Sequence, residues 1–494
     1  MKTVYTFVIV FVPFLVCSCV ASKDFDPLKK YAPQQLKEDY TLFRNVVEEL
    51  HPGLYWYTPK DSMDYYFSVG ESKLNDSLTE NKFRYVLSYV IAKMKCGHTV
   101  VRASKPFAKH YDSTRNRVFP LSVKIWEDTA VVTNNLNRKD SAVSRGVLLK
   151  AIDGRPITSI VDSFFSHLSA DGHNLTHKYQ TLSNPSVFRN MYASIYGPKQ
   201  RHLIEFVDTL GQKKQSYVSL YKPVADTTSK RKSAPKLFRR ERKKQRLQEA
   251  RNLRTDTALQ LAIMELSTFT KHNGLRSFFK RSFRQLNNKQ IPNLAIDLRG
   301  NGGGSVILSN LLTKYIVDRP FKIADSLFAL KNKSSYSKYM QHYLLNRLFI
   351  LFMTRRRGNG NYHFKYFERK YFPPKTKDHY NGNVYILTGG NTFSASALFT
   401  QSVKHQKNVT VVGEETGGGA YGNNAWLIPD VTLPNTKVRF RLPLFRLVID
   451  RNLTKNGKGV IPNVEVKPTV EAIRRSRDFK MEKVKELVKS KAAK

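Results

Sequence analysis

Apolar positions change their spacing along the chain, and each change marks a different kind of element. From about Tyr31 to Ala103 they recur at helical intervals. In "QQLKEDYTLFRNVVEEL", Leu36, Tyr40, Phe43, Val46, Val47 and Leu50 fall on one face. His51-Pro52-Gly53 stops that helix, because proline cannot continue it and glycine takes backbone angles other residues avoid. A second long helix, "NKFRYVLSYVIAKMK", runs into Cys96-Gly97-His98-Thr99. Residues 27–110 are therefore expected to form an N-terminal helical domain.

From about Val118 to Leu220 the period falls to two. "FPLSVKIWED", "TAVVTNN", "GVLLKAIDGRPI" and "RHLIEFVDT" read as short strands, with a helix near "SIVDSFFSHLS", so residues 115–222 are expected to be β-rich. Residues 223–255 are dense in Lys and Arg and poor in apolar positions, the pattern of a basic linker or surface insertion. After Thr255, strands ("TALQLAIMEL", "IPNLAIDL", "NVYILTGG", "NVTVVGE") alternate with helices ("SVILSNLLTKYIVD", "SASALFTQSVKHQ"). That alternation predicts an α/β layered core over 256–470. A Tyr- and Arg-rich insertion at 330–375 interrupts it, and residues 471–494 read as a basic C-terminal helix.

Length and charge add bounds. A chain of 494 residues exceeds what one core usually serves, so roughly two to four domains are expected. The formal net charge of +44 predicts attraction to polyanions. The run at 230–254 carries that expectation most directly: an anionic membrane surface or glycan, or else a solvated loop. No specific nucleic-acid partner is expected: export argues against one, and Phe238 alone in the run is not the aromatic interleaving that base stacking would need.

The first residues set the compartment. Lys2 precedes an apolar stretch from Val4 to Val16 that Pro13 interrupts, shorter than the ~20 residues of a spanning helix. Residues 1–21 read as a signal peptide. "VCS" before Cys19 resembles a lipobox, which would leave Cys19 acylated, and cleavage after Ala21 is the other reading. The expected location is the periplasm or outer cell envelope. Of three cysteines, only Cys96 lies beyond the leader, so no disulfide framework and no cysteine metal site are expected. Nothing in the sequence calls for a cofactor or a metal.

The candidate chemistry begins with "NLAIDLRGNGGGSVILSN", residues 293–310. A P-loop needs Lys-Ser/Thr after its last glycine, and Ser305-Val306-Ile307 stands there instead. A dinucleotide fingerprint needs a third glycine where Ser305 lies. The remaining reading is an oxyanion hole, main-chain N–H groups aimed at charge developing on a carbonyl oxygen. It requires a nucleophile. In "NVYILTGGNTFSASALF" a buried strand runs into glycines and a helix opens at Ser394, followed by the small residues Ala395, Ser396 and Ala397. Alone, a serine there reads as a helix cap. The helix's free amides and positive end also face any acyl group it carries.

"DLRGNGGG", "TFSASA", "VVGEETGGG" and "GKGVIPNVEV", in that order and spacing, resemble the S41 peptidases, the tail-specific, C-terminal processing and tricorn-type serine proteases. The likeness runs over roughly 35–470. "LHPGLYWY" and "CGHT" resemble the family's helical N-terminal domain, and "SRGVLLKAIDGRPITSIVD" its PDZ domain. The resemblance implies an α/β fold: a ClpP/crotonase-like layered catalytic core, an N-terminal helical domain and an inserted PDZ-like domain. It makes Ser394 the nucleophile, with Ala395 and Gly303 or Gly304 forming the oxyanion hole, and puts Gly146 and Val147 where a peptide is cradled. Tail-specific members carry a lysine where this chain has Gly419, so a serine–lysine dyad is not expected. The histidine-using branch matches better and makes His98 the general base, for an imidazole with a pKa of about 6.5 can take the serine proton at neutral pH. The orienting acid falls on Asp450, with Glu414 and Glu415 as fallbacks, and Asn463 replaces the usual aspartate of the last block. Asp297 and Arg299 are expected to brace the glycine loop. The implied function is an exported serine endopeptidase acting on peptides or proteins. The alternative is a catalytically inactive peptide- or ligand-binding protein on the same scaffold.

Overall fold

Strict alternation builds the central sheet. In the computed structural model, which describes residues 25–113, 117–137, 142–197, 199–222 and 238–492, six strands lie side by side. Their order is Arg251–Asp256, Leu261–Leu266, Asn293–Asp297, Asn383–Thr388, Val409–Gly413 and Val464–Glu465. The first pair is antiparallel and the rest are parallel. Successive side chains point to opposite faces. Ala262, Met264, Leu294, Ile296, Val384, Ile386 and Val411 therefore pack under the helices Leu275–Asn288, Val306–Thr313 and Ala395–Val403. Leu261, Ile263, Ala295, Tyr385, Leu387 and Val412 meet Met481, Val484 and Val488 of the helix Phe479–Ala492 on the other face. Buried on both faces, the parallel strands read as nearly continuous apolar runs.

A second, five-stranded sheet joins Arg355–Arg356, Tyr362–His363, Ser326–Ala329, Phe445–Val448 and Gly422–Ala425, all antiparallel. The N-terminal helices Pro33–Leu50, Lys60–Glu71 and Glu80–Lys93 share one core with it, Phe43, Phe67 and Leu87 packing in the same cluster as Leu327, Phe445 and Leu447. Val101–Arg102 pairs with Arg439–Arg441, and buried Asp39 accepts hydrogen bonds from the Asn435 and Thr436 amides. The N-terminal helices are thus fastened to the C-terminal half by strand pairing as well as by packing.

Between them lies a β-rich unit with its own core, a sheet of Leu121–Trp126, Thr129–Asn135, Leu148–Ile152, Arg201–Val207 and Lys213–Ser219, with Ile157–Phe165, Leu175–Leu182 and Pro185–Tyr196 as helices. Residues 1–24, with the expected signal peptide and Cys19, and residues 223–237 lie outside the described residues. The basic segment is not linker throughout. Arg239–Ala250 is a helix, and Arg251–Asp256 is the edge strand of the central sheet. The expected brace on the glycine loop is present and reaches further than the loop. Arg299 pairs with Asp297 at 2.6 Å and with Asp478 at 2.5 Å, tying the loop to the start of the C-terminal helix.

Candidate active site

Two segments converge at the C-terminal end of the central sheet. Asn293–Asp297 feeds the glycine loop, and its parallel neighbour Asn383–Thr388 feeds the turn before Ala395–Val403. Ser394 occupies that turn with φ 54° and ψ −121°, a conformation an L-residue adopts only under constraint. A strained strand-to-helix elbow is the kind of turn on which a nucleophilic serine can be carried. The side chain makes no capping hydrogen bond, so the plain reading of a helix cap does not hold here.

The glycine loop is pressed against this turn. A Cβ on Gly303, whose φ is +97°, would lie 2.8 Å from Ser394 Cβ and 2.9 Å from the Ala395 nitrogen. One on Gly304, with φ +138°, would lie 2.5 Å from the carbonyl carbon of Phe269. Only glycine fits at either place. Ala395, first in its helix, has no intrahelical acceptor for its N–H, which is the donor an oxyanion needs. The Gly303 N–H, by contrast, already donates to Asn301 Oδ1 at 2.9 Å. Asn301 is fully buried, and its amide donates to the Leu266 carbonyl. Of the two candidates in the loop, Gly303 packs on the Ser394 turn with its N–H already engaged, and Gly304 packs on Phe269.

His98 lies in the turn after the third N-terminal helix, 6% exposed, its ring 4.6 Å from that of Phe393, the residue before Ser394. Neither ring nitrogen has a hydrogen-bond partner, so the Ser394 hydroxyl and the imidazole are not bonded to each other. Among the described residues, the carboxylate within 4 Å of the ring is that of Asp171, whose Oδ1 stands 3.9 Å from Nδ1. Asp171 accepts the N–H of Gly97 at 2.9 Å and that of Gly419 at 3.3 Å. Burial pushes its carboxyl up to about 7 and the His98 imidazole down to about 3, helped by Arg441 and His177 nearby. Gly419 is the position where a lysine would stand in a dyad enzyme. Here its amide holds the acid instead, and a Cβ on it would meet the Gly422 carbonyl at 2.4 Å.

Asp450 is not brought to His98. Its carboxylate accepts the Asn452 N–H and shapes a surface turn. The fallbacks are engaged elsewhere too. Glu414 pairs with buried Lys480, and Glu415 accepts the Gly459 N–H and the Asn174 and Thr176 side chains. Gly146 and Val147 also depart from expectation. The Gly146 N–H donates to Val132, the Val147 carbonyl accepts the Val132 N–H, and the Arg474 guanidinium donates to the Gly146 carbonyl. These three main-chain groups are used within the molecule rather than open to a peptide.

A second histidine was not legible. His177 stacks on Phe393 at 4.8 Å, and its Nδ1 lies 2.7 Å from the Gly390 carbonyl, an acceptor that fixes the proton on Nδ1 and leaves Nε2 as a base. Burial lowers its pKa. Asp171 and His177 belong to "DGHNLTH", a polar cluster whose density of ionisable residues was the one available signal. Among the described residues, no group of His, Cys, Asp and Glu is placed to hold a metal ion.

This geometry has a family. Residues 260–472 match the family model of Peptidase family S41. That segment is similar to the S41 peptidases, and the chain is a serine-type peptidase. Among solved structures, mature CPAF complexed with lactacystin superposes with a TM-score of 0.64 at 16% identity, over 92% of this chain and 98% of that one. Mature CPAF gives 0.63 at 15%, over 92% and 97%. At such identities the likeness is one of fold. No curated protein matches the chain. Within the S41 domain lie Ser394, the glycine loop and Gly419, while His98, Asp171 and His177 come from outside the matched segment.

Proposed function

We propose that the protein is an exported serine endopeptidase that cleaves peptides or proteins through an acyl-enzyme on Ser394. His98 is the general base, and Asp171 replaces Asp450 as the group that orients it. The observation carrying this reading is the elbow at Ser394, with Gly303 packed on its Cβ and the Ala395 amide beside it. The hydroxyl attacks the scissile carbonyl as His98 takes its proton. The Ala395 and Gly304 amides stabilise the oxyanion, and the imidazolium returns the proton to the leaving amine. In the free enzyme the hydroxyl and imidazole are not yet joined, and such contacts commonly tighten only in the substrate complex. The Asp171 gap of 3.9 Å closes with a small ring movement.

The β-rich unit is read as PDZ-like, and its Gly146 edge becomes available to a peptide only if Arg474 withdraws. A second reading of the base rests on His177, whose Nε2 is left unprotonated by the Gly390 contact. A serine-directed fluorophosphonate probe tests the main proposal. Labelling that Ser394→Ala abolishes supports the enzyme. A folded protein that refuses the probe is instead the inactive binding protein.

A further inference from the structure

The insertion at 330–375 carries a feature that the peptidase chemistry does not use. Its helix Tyr343–Met353 docks on the second sheet by one side, where Ile350 is buried and the Phe349 ring packs on Phe364 and Phe445. The opposite side is apolar and bare. Leu344, Leu348, Leu351 and Phe352 recur at helical spacing with Leu345 beside them, and Phe352 is 75% exposed, Leu345 67% and Leu344 63%. A contiguous apolar stripe of this kind on a soluble surface marks an interaction site.

Charge says what covers it. Residues 331–375 hold eleven Lys and Arg and one acid, Glu368. That acid is buried, bonded to His363 and paired with Arg357, so it offers nothing to a partner. Lys331, Lys333 and Lys338 precede the helix, exposed, and exposed Arg355 and Arg356 follow it. Exposed Tyr366 and Tyr371 lie in the same insertion, the residue type that settles at a membrane–water boundary. An apolar stripe with basic and aromatic residues around it matches an anionic bilayer: acyl chains for the leucines, headgroup phosphates for the arginines. At about 16 Å the helix is far too short to cross a ~30 Å hydrocarbon core. Among the described residues, no helix is long and apolar enough to do so.

We infer that the helix Tyr343–Met353 lies in the plane of an anionic lipid surface, its Leu344/Leu348/Leu351/Phe352 stripe in the acyl boundary and Arg355 and Arg356 at the headgroups. The surface would hold the peptidase to a membrane independently of any leader or acyl anchor. It is distinct from the basic helix Arg239–Ala250, which has no apolar stripe.

The test is co-sedimentation of the full chain with phosphatidylcholine vesicles, with and without a third of phosphatidylserine. Wild type is compared with Leu348→Ser/Leu351→Ser/Phe352→Ser and with Arg355→Glu/Arg356→Glu. All carry the same N-terminus, so the differences report the helix alone, and these surface positions leave the core intact. The inference expects serine-lipid-dependent binding that salt weakens, falling at least about tenfold in either variant. Equal binding by wild type and both variants overturns it. So does sedimentation equilibrium showing a dimer that the triple variant dissociates while vesicle binding is unchanged, which would make the stripe a contact between two copies. No peptidase activity is needed, so failure leaves the Ser394 chemistry untouched.

Discussion

The carboxylate of Asp171 stands 3.9 Å from Nδ1 of His98, and both groups are buried. Two main-chain amides, of Gly97 beside the histidine and of Gly419 in the loop after Val409–Gly413, hold the acid in place. The acid is thereby tied both to the turn that carries His98 and to that loop.

Asp171 should set the pH profile. Its carboxyl, pushed up to about 7, must ionise before it can steady the imidazole. The rate constant kcat/KM is expected to climb as pH rises through about 7, since that parameter reports groups of the free enzyme. Asp171→Asn should lower kcat by something on the order of 10³-fold and remove the limb. Stability moves the opposite way. The folded state holds this proton more tightly than the unfolded chain, so the stabilisation is full below the unfolded value near 3.8 and is lost as pH rises through about 7. The asparagine does not titrate, so the Tm difference should shift in the variant's favour between pH 4 and pH 8. A wild-type limb lying below pH 5 would instead assign it to another group.

The two histidines flanking Phe393 are separable. His98→Ala should abolish turnover to within the residual activity of the oxyanion hole. His177→Ala should lose less than about tenfold, because the Gly390 contact makes its role one of packing. Single-turnover acylation of both variants decides this, and the reverse ranking would give the base to His177.

The glycine loop predicts a sharp contrast between neighbours. Gly303→Ala places a methyl 2.8 Å from Ser394 Cβ and 2.7 Å from the Phe393 carbonyl oxygen, at a φ of +97°. It should cost about 1–3 kcal/mol of stability and about 10²–10³ in kcat by displacing the Ala395 donor. A Cβ on Gly302 meets nothing within 4 Å, so Gly302→Ala should leave Tm near wild type. Thermal melts and acyl-enzyme burst rates on the pair measure both.

What could be read from the sequence follows from the range of each signal. The parallel strands were legible because burial on both faces leaves unbroken apolar runs, and Ser394 because strand, glycine turn and small-residue helix lie within the fifteen positions 383–397. The strand Arg251–Asp256 was hidden because an edge strand tolerates charge, and Arg251, Arg254 and Asp256 made it look like linker. Asp171 was missed for a different reason. It lies 73 positions after His98, in an irregular loop leading to the helix Leu175–Leu182, and no periodicity reports a contact at that separation. Asp450 fitted the family pattern, but its carboxylate was already committed to the Asn452 amide. The shared core of the N-terminal helices and second sheet is likewise a product of long-range packing.

The C-terminal helix offers the cleanest energetic test of the scaffold. Lys480 is 5% exposed, yet its ammonium donates to the Thr388 carbonyl at 3.0 Å and pairs with Glu414. Burial lowers its pKa and the Glu414 charge opposes that shift. Thr388 ends the strand that leads into the Ser394 turn and Glu414 follows the neighbouring strand Val409–Gly413, so the pair joins the helix to two adjacent strand ends. Lys480→Met strands the Glu414 carboxylate and should cost about 3 kcal/mol. Glu414→Leu/Lys480→Met removes both charges, and most of that loss should return. Urea denaturation of the two single variants and the double closes the cycle. If the double variant is as unstable as the sum of the singles, the ammonium and carboxylate are not coupled, and the helix is held by Met481, Val484 and Val488 with the Asp478 and Lys485 ion pairs.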